Sequence, residues 1–280
     1  MLGIGTVSSS YPSRDTTLYS SRKGVAVGTG TRSRELTAPE RVTTPPQQLE
    51  VRLLGGFEFV RAGRAIPLPL PAQRLVAFLA LESAWVSRSH AAGNLWLEVP
   101  QQRALGSLRS ALWKARSTEG HLLEITGDEF RLAADVRVDT HDTSERAYRL
   151  LDGLSSCSDE LLTSEGMTKE LLPSWFDDWV LLERERLRQL FLHAMEALTR
   201  HLSGLGQHAR AIDVGTIVVQ QEPLRESAHA ALMQAYLAEG NRHEAMRQYD
   251  AYRRLMSREL GLDPSPRLRR LLANGLHRPT

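Results

Sequence analysis

Three patterns in this 280-residue chain predict an α+β front half followed by an all-α back half. Short β-like runs begin near residue 49, three stretches of helical period follow them, and the second half repeats itself at a fixed offset. Ahead of these, residues 1–48 are rich in Ser, Thr, Gly and Arg, end in Thr43-Thr44-Pro45-Pro46 and lack an apolar period. A chain of that kind cannot bury a core, so a disordered tail is expected there.

From Glu50 the runs VRLL, FEFV and AIPL are separated by Gly55-Gly56 and by Ala62-Gly63-Arg64, which are hairpin-type connections. A small antiparallel sheet should start the fold. Helical periodicity then appears over 71–83 (Leu75, Phe78, Leu79), 88–97 and 101–116, with Pro100 expected as the N1 residue of the third helix. The segment LLEITGDEFRLA should form a hairpin turning at Gly127-Asp128, with Phe130 and Leu132 inward and Arg131 outward. Strands, three helices and a closing hairpin make a winged helix-turn-helix over 49–137.

The third helix carries the most chemistry. At about 100° per residue, Ala104, Leu105, Leu108, Ala111, Leu112 and Ala115 share an apolar side, with Arg103, Ser107, Ser110 and Lys114 opposite and Arg109 and Arg116 on a flank. The helix holds cations and hydroxyls but no acid, which suits phosphates and purine edges. Two readings fit: a DNA recognition helix, or the solvated face of an ordinary amphipathic helix. Arg131 likewise could reach a minor groove or phosphate, or be a solvated strand charge. Trp96 and Trp113 are expected to pack in the core or between domains, because a helix in a major groove reads base edges without unstacking them.

The back half, 138–280, repeats at an offset of 34 residues: Leu198 with Leu232, Leu202 with Tyr236, Gly206 with Gly240, Ala211 with Ala245. That is the period of tetratricopeptide helix pairs, expected over 188–221 and 224–259. LGQH and EGNR would join the two helices of each pair, and the Ala that follows would let them approach closely. Helices at 140–151, at 175–188 and after Pro264 would cap the stack. Asp177-Asp178 and the Glu183-Arg184-Glu185-Arg186 run fit a helix start and a charge-laced face rather than paired catalytic acids. His229 and His243 are expected on helix surfaces.

Composition narrows the function classes. With 41% hydrophobic residues the chain can bury one or two cores, and no run of about 18 apolar residues supports a membrane span. Neither a signal peptide nor an internal disulfide fits, Cys157 being the single cysteine and read as an inert thiol. The expected home is the cytoplasm, associated with the nucleoid. The net charge is only +2. Six basic residues stand against three acidic in 1–48, eleven against nine in 49–137, and 18 against 21 thereafter, so DNA affinity must come from local placement of Arg. Only Lys23, Lys114 and Lys169 among the 35 basic residues are lysine. The nine histidines form no HExxH motif, and no cofactor, metal site or enzymatic activity is expected.

The opening VRLLGGFEF, the SLRSALWKAR helix, DDWVLLERERLRQL and the long block PLRESAHAALMQAYLAEGNRHEAMRQYDAYRRLMSRELGLDPSPRLRRL together resemble the Streptomyces antibiotic regulatory proteins. Members of that family join an OmpR-type winged helix to a bacterial transcriptional activator domain, and the resemblance covers 49–275. It implies a sequence-specific activator that binds direct repeats in double-stranded promoter DNA as a homodimer. It also implies recruitment of RNA polymerase holoenzyme through the sigma factor, at the promoters of an antibiotic gene cluster. Carried over by position, Arg103, Ser107, Arg109, Ser110, Lys114 and Arg116 match the recognition helix and Arg131 matches the wing. The sequence departs from larger members in having no GxxxxGK[ST] loop and no phosphoacceptor domain before residue 49, so neither ATP switching nor phospho-activation is expected. Gly106 within the helix costs up to about 1 kcal/mol of propensity relative to Ala. The rival from another class is a tetratricopeptide-type adaptor that binds protein and no DNA.

Overall fold

The computed structural model describes residues 48–153 and 166–277; residues 1–47 of the expected tail and Cys157 lie outside the described residues. The described chain belongs to one compact unit running from Pro45 to Thr280. Its front is strand-rich. Strands β1 (Leu49–Arg52), β2 (Glu58–Arg61) and β3 (Arg64–Ala65) form the antiparallel meander that the sequence predicts. β7 (Arg137–Val138) then joins the free edge of β1 in parallel, giving the order β3-β2-β1-β7. The sequence does not foreshadow that parallel pair, because a two-residue strand leaves no alternation to detect.

Three helices follow the meander: α1 (Leu70–Glu82), α2 (Arg88–Leu95) and α3 (Gln101–Thr118). α1 has Pro71 in its first turn, where no N–H is needed, and ends at Ser83 in the left-handed conformation, φ 54°. The N-cap of α2 is Ser87, whose hydroxyl accepts from the His90 N–H at 3.2 Å. Pro100 is the N-cap of α3 rather than its N1 residue, and its carbonyl accepts from the N–H groups of Arg103 and Ala104 at 2.9 and 3.1 Å. β5 (Leu123–Thr126) and β6 (Glu129–Leu132) form the expected hairpin. Gly127 takes φ +61°, as the first central residue of a tight two-residue turn requires. Phe130 and Leu132 are buried, as the alternation predicts, and β4 (Val86–Ser87) adds a third strand beside β6.

The back is all helical: α4 (Asp139–Leu151), α5 (Asp178–Gly204), α6 (His208–Gln221), α7 (Glu226–Glu239), α8 (Arg242–Leu260) and α9 (Pro266–His277). The expected helix over 175–188 and the first helix of the following pair are one element, the 27-residue α5. Nothing between them breaks a helix: Gly and Pro are absent from 178 to 203 and apolar residues recur throughout. The aligned positions behave as packing devices. Leu198, Leu202, Ala211, Leu232 and Ala245 are buried, while Gly206 and Gly240 take φ +75° and +89° at the two turns. A tighter helix approach lies elsewhere, at Gly215 of α6, where a Cβ would stand 3.2 Å from both Thr199 of α5 and Leu232 of α7.

Front and back share one hydrophobic cluster that runs from Leu49 to Ala235. Phe57 stacks on Trp175 at 6.1 Å, Trp175 meets Trp179 edge-on, and Trp179 meets Phe78 of α1 edge-on at 5.4 Å. Arg74 of α1 is paired with Asp177, the N-cap of α5. Segment 166–175 lies against the chain just after β1: the Leu172 N–H donates to the Leu53 carbonyl at 2.9 Å, and the Gly55 N–H donates to the Glu170 carbonyl. Arg184 secures that segment by donating to the carbonyls of Leu171, Leu172 and Trp175. Asp139, the first residue of α4, accepts the buried N–H groups of Leu53 and Leu54 at 2.9 and 3.0 Å, while its own burial pushes its carboxyl above the usual carboxylate range. Each of those amides would lose its partner in an Asp139→Ala variant. At about 1–3 kcal/mol per orphaned donor, that variant should unfold about 2–4 kcal/mol more easily in urea.

His229 is buried rather than on a helix surface. The amphipathic pattern misleads there because the α7 faces on both sides are covered, and a neutral imidazole with both nitrogens satisfied is tolerated in a core. Its Nε2 donates to the Pro223 carbonyl at 2.9 Å, its Nδ1 accepts from Gln248 at 2.8 Å, and the ring lies 4.2 Å from that of Tyr252. His243, in contrast, is exposed. Burial lowers the His229 pKa below its ordinary value, so as pH falls the unfolded ring takes up its proton before the folded one. Wild-type stability should therefore decrease as pH drops below about 6.5. A His229→Phe variant, less stable at neutral pH, should show a flatter loss between pH 7 and pH 5 in paired urea titrations.

Candidate nucleic-acid interface

Five residues seat α3: Ala104, Leu108, Ala111, Leu112 and Ala115 are buried against α1 and α2, and Leu105 is half-buried beside them. Three of the five are alanines, so α3 lies close to its neighbours with its register fixed by Leu108 and Leu112. At about 100° per residue the crest opposite that stripe is formed by Gly106, Ser110, Trp113 and Ser117. Arg109 and Arg116 flank the crest on one side, Arg103 and Lys114 on the other. Arg103, Arg109, Ser110 and Arg116 are exposed; Ser107 and Lys114, expected opposite the core, are half-buried on a flank.

α3 is thus a ridge between two grooves. One, of about 400 Å³, is lined by Arg88, Arg109, Trp113, Arg116 and Ile125. The other, of about 510 Å³, is lined by Pro71, Trp96, Arg103, Ser107, Ser110 and Lys114. The side chains of Arg103, Arg109, Lys114 and Arg116 form no ion pair or hydrogen bond with any described residue. Elsewhere arginines are commonly engaged: Arg52 with Glu50, Arg61 with Glu119, Arg137 with Asp142, Arg225 with Glu196. Unpaired cations along one solvent-facing helix form an anion-attracting surface.

The hairpin places Arg131 differently. Its guanidinium binds Glu124 through Nε and Nη2 at 2.9 and 2.8 Å and stands 4.6 Å from the Trp85 ring centroid. Glu124 is held below its usual carboxylate range chiefly by that hydrogen bond. Arg131 lines neither groove beside α3, because it and Ile125 point from opposite faces of the hairpin. Arg88, which the sequence reading does not select, does line the groove with Arg109 and Arg116, beside its own pairing to Asp128 at 3.4 Å. Nothing local in the sequence marks it, because the two-residue β4 before it leaves no alternation to detect. Trp96 packs against the core as expected, but Trp113 does not: its side chain is 69% exposed. The reason is geometric, since position 113 lies nearly half a turn around the helix from Ala104 and Ala111.

The family model of the bacterial transcriptional activator domain matches residues 128–274, just over half of the chain. The chain belongs to that family. The activator domain therefore spans the second hairpin strand, β7 and the helices from α4 into α9, and α3 lies ahead of it. The chain is 27% identical over 236 residues to the regulatory protein AfsR of Streptomyces coelicolor, across 80% of this chain and 24% of AfsR. AfsR of Streptomyces griseus gives the same coverage. The chain thus spans about a quarter of the length of these first curated relatives. It is also 24% identical over 247 residues to the regulatory protein DnrI of Streptomyces peucetius, across 80% of this chain and 90% of DnrI. Kinship with the Streptomyces antibiotic regulatory proteins, read from the sequence motifs, holds. Among solved structures, Mycobacterium tuberculosis EmbR in complex with a low affinity phosphopeptide has the same fold over 84% of this chain and 66% of its own, with a TM-score of 0.67 at 20% identity.

No helix among the described residues is long and apolar enough to cross a membrane. Gly106, on the crest of α3, has only the Arg109 Nη2 within 4 Å of where a Cβ would stand. A methyl group fits there without strain. Gly106→Ala should accordingly raise the midpoint of urea unfolding by the equivalent of about 0.4–1 kcal/mol, the entropy gained by restricting the unfolded chain.

Proposed function

We propose that this chain is a sequence-specific transcriptional activator whose front, residues 49–137, is a winged helix-turn-helix with α3 as the recognition helix and β5–β6 as the wing. The four unpartnered cations on α3 carry this reading. An ordinary solvated helix gathers acids as well as bases and pairs them along its face, as α5 does with Glu183–Arg186 and Glu185–Arg188. α3 has no acid between Gln101 and Thr118, and its guanidinium groups have the geometry for guanine O6 and N7 or for phosphates. Arg103 and Arg109 are assigned to bases or the adjacent phosphates, and Ser107, Ser110, Lys114 and Arg116 to positioning contacts. Arg131, tied to Glu124 and Trp85, would contact the duplex only through whatever donors that pairing leaves.

Residues 138–280 then form a tetratricopeptide-like activator module. Its surfaces would meet a second copy on direct repeats and the RNA polymerase holoenzyme, including its sigma factor. The Streptomyces relatives point to an antibiotic gene cluster as the target and to the cytoplasm, at the nucleoid, as the place of action. The reading needs no bound cofactor, and transcription control requires no turnover by the protein itself.

The test is binding of the full chain to duplexes from immediately upstream of its own and neighbouring genes, followed by fluorescence anisotropy. Affinity should fall steeply between about 50 and 200 mM salt, as phosphate contacts release counterions. Replacing Arg103 and Arg109 together by Ala should remove preference for the bound promoter over random duplex while leaving the circular dichroism spectrum unchanged. Each arginine should account for roughly 1–3 kcal/mol if bidentate to guanine. A double variant that keeps full preference refutes the assignment of these two residues. Salt-indifferent behaviour, or the absence of binding to any promoter, would instead favour an adaptor that engages protein alone.

A further inference from the structure

Trp113 is a large apolar side chain left in water at the most prominent place on α3, and burying such a side chain normally contributes strongly to folding or binding. Its neighbours on the crest are short and project little. Gly106 has no side chain, the Ser110 hydroxyl donates back to the Gly106 carbonyl at 3.2 Å, and that of Ser117 donates to the Lys114 carbonyl at 3.1 Å. The crest therefore presents one outward group, an indole, with Arg109 and Arg116 on one side of it and Arg103 and Lys114 on the other.

We propose that Trp113 is a specificity-determining residue that packs on the 5-methyl group of a thymine in the major groove. The inference rests on the DNA-binding reading above. Cations on both flanks of a ridge match the two phosphate rails that border a major groove, which puts the crest over the groove floor. The apolar feature of that floor is the thymine methyl. Gly106 lies about 10.5 Å along the axis from Trp113, at 1.5 Å per residue, and its bare backbone lets the preceding two turns sink toward the bases. A second copy of the chain is a poor occupant of this crest. An isologous contact here would set Arg109 and Arg116 of one molecule against the cations of its copy.

The test begins by selecting tight-binding duplexes from a random pool with the full chain, then replaces thymine by deoxyuridine one position at a time. Removing one buried methyl should weaken wild-type binding by about fourfold at one position per half-site, taking about 0.8 kcal/mol for the group. The same replacement should leave Trp113→Ala unaffected, and Trp113→Ala should keep the wild-type salt slope, whereas Arg116→Ala, which loses a positioning contact, should lower that slope by about one. If every deoxyuridine duplex binds wild type as its thymine parent does, the proposal is wrong while the DNA-binding reading stands. It is equally wrong if the fourfold effect persists in Trp113→Ala. A pool from which nothing is enriched, with no salt-dependent binding, sinks both. The deoxyuridine series uses wild-type protein, so its outcome does not depend on the variant folding.

Discussion

The burial of one side of α3 decides which of its residues can leave the protein. Ala104, Ala111 and Ala115 bring the helix close to α1 and α2, and Leu108 and Leu112 fill the remaining space, so the helix cannot rotate without exposing both leucines. Re-exposing each would cost about 1.5–3 kcal/mol. Every outward position is fixed by that constraint: Trp113 on the crest, guanidinium groups along both flanks, and a groove on each side. A helix with large residues at the three alanine positions would stand further from its neighbours and offer the same charges on a looser mount.

The second determinant is where the arginines are satisfied. In the back half they join parts of the fold: Arg184 holds segment 166–175 through three carbonyls, and Arg225 reaches the buried Glu196 at 2.5 Å, with Ser227 on the same oxygen. The donors of those cations are already engaged within the fold. On α3 the opposite holds, so a chain of net charge +2 still presents a concentrated positive ridge. Bulk charge hides this because the acids that balance the total sit on other elements, α4 and α5 among them. The electrostatic field that matters to a polyanion within a Debye length of about 8 Å is the local one.

Much of this was legible in the residues, for physical reasons that also explain the misses. The three front helices and the hairpin show through their periods of 3.6 and 2, and the 34-residue offset shows because Gly206 and Gly240 must adopt positive φ at equivalent turns. What stayed hidden were features set by distant partners. β4 and β7 are two residues each and exist only because β6 and β1 offer them edges. His229 looks like a surface residue until Gln248 and the Pro223 carbonyl satisfy both its nitrogens. Arg131 is outward by alternation, yet nothing local announces that Glu124 and Trp85 hold its guanidinium. Trp113 misleads because an aromatic in an amphipathic helix is usually core, although its angle around the helix already places it outside.

Front and back of the described chain are joined at several chemically different points. An aromatic series runs from Phe57 through Trp175 and Trp179 to Phe78; Arg74 pairs with Asp177; Asp139 caps two amides just after the first strand; and segment 166–175 pairs with that same stretch of chain. Loss of one of these leaves the others in place, so the arrangement does not hinge on a single linker. A front half seated on a duplex through α3 would therefore orient α5 to α9 with it. For an activator, whose output depends on presenting a surface at a fixed distance and angle from a promoter, a shared core achieves what a longer interdomain linker would undo.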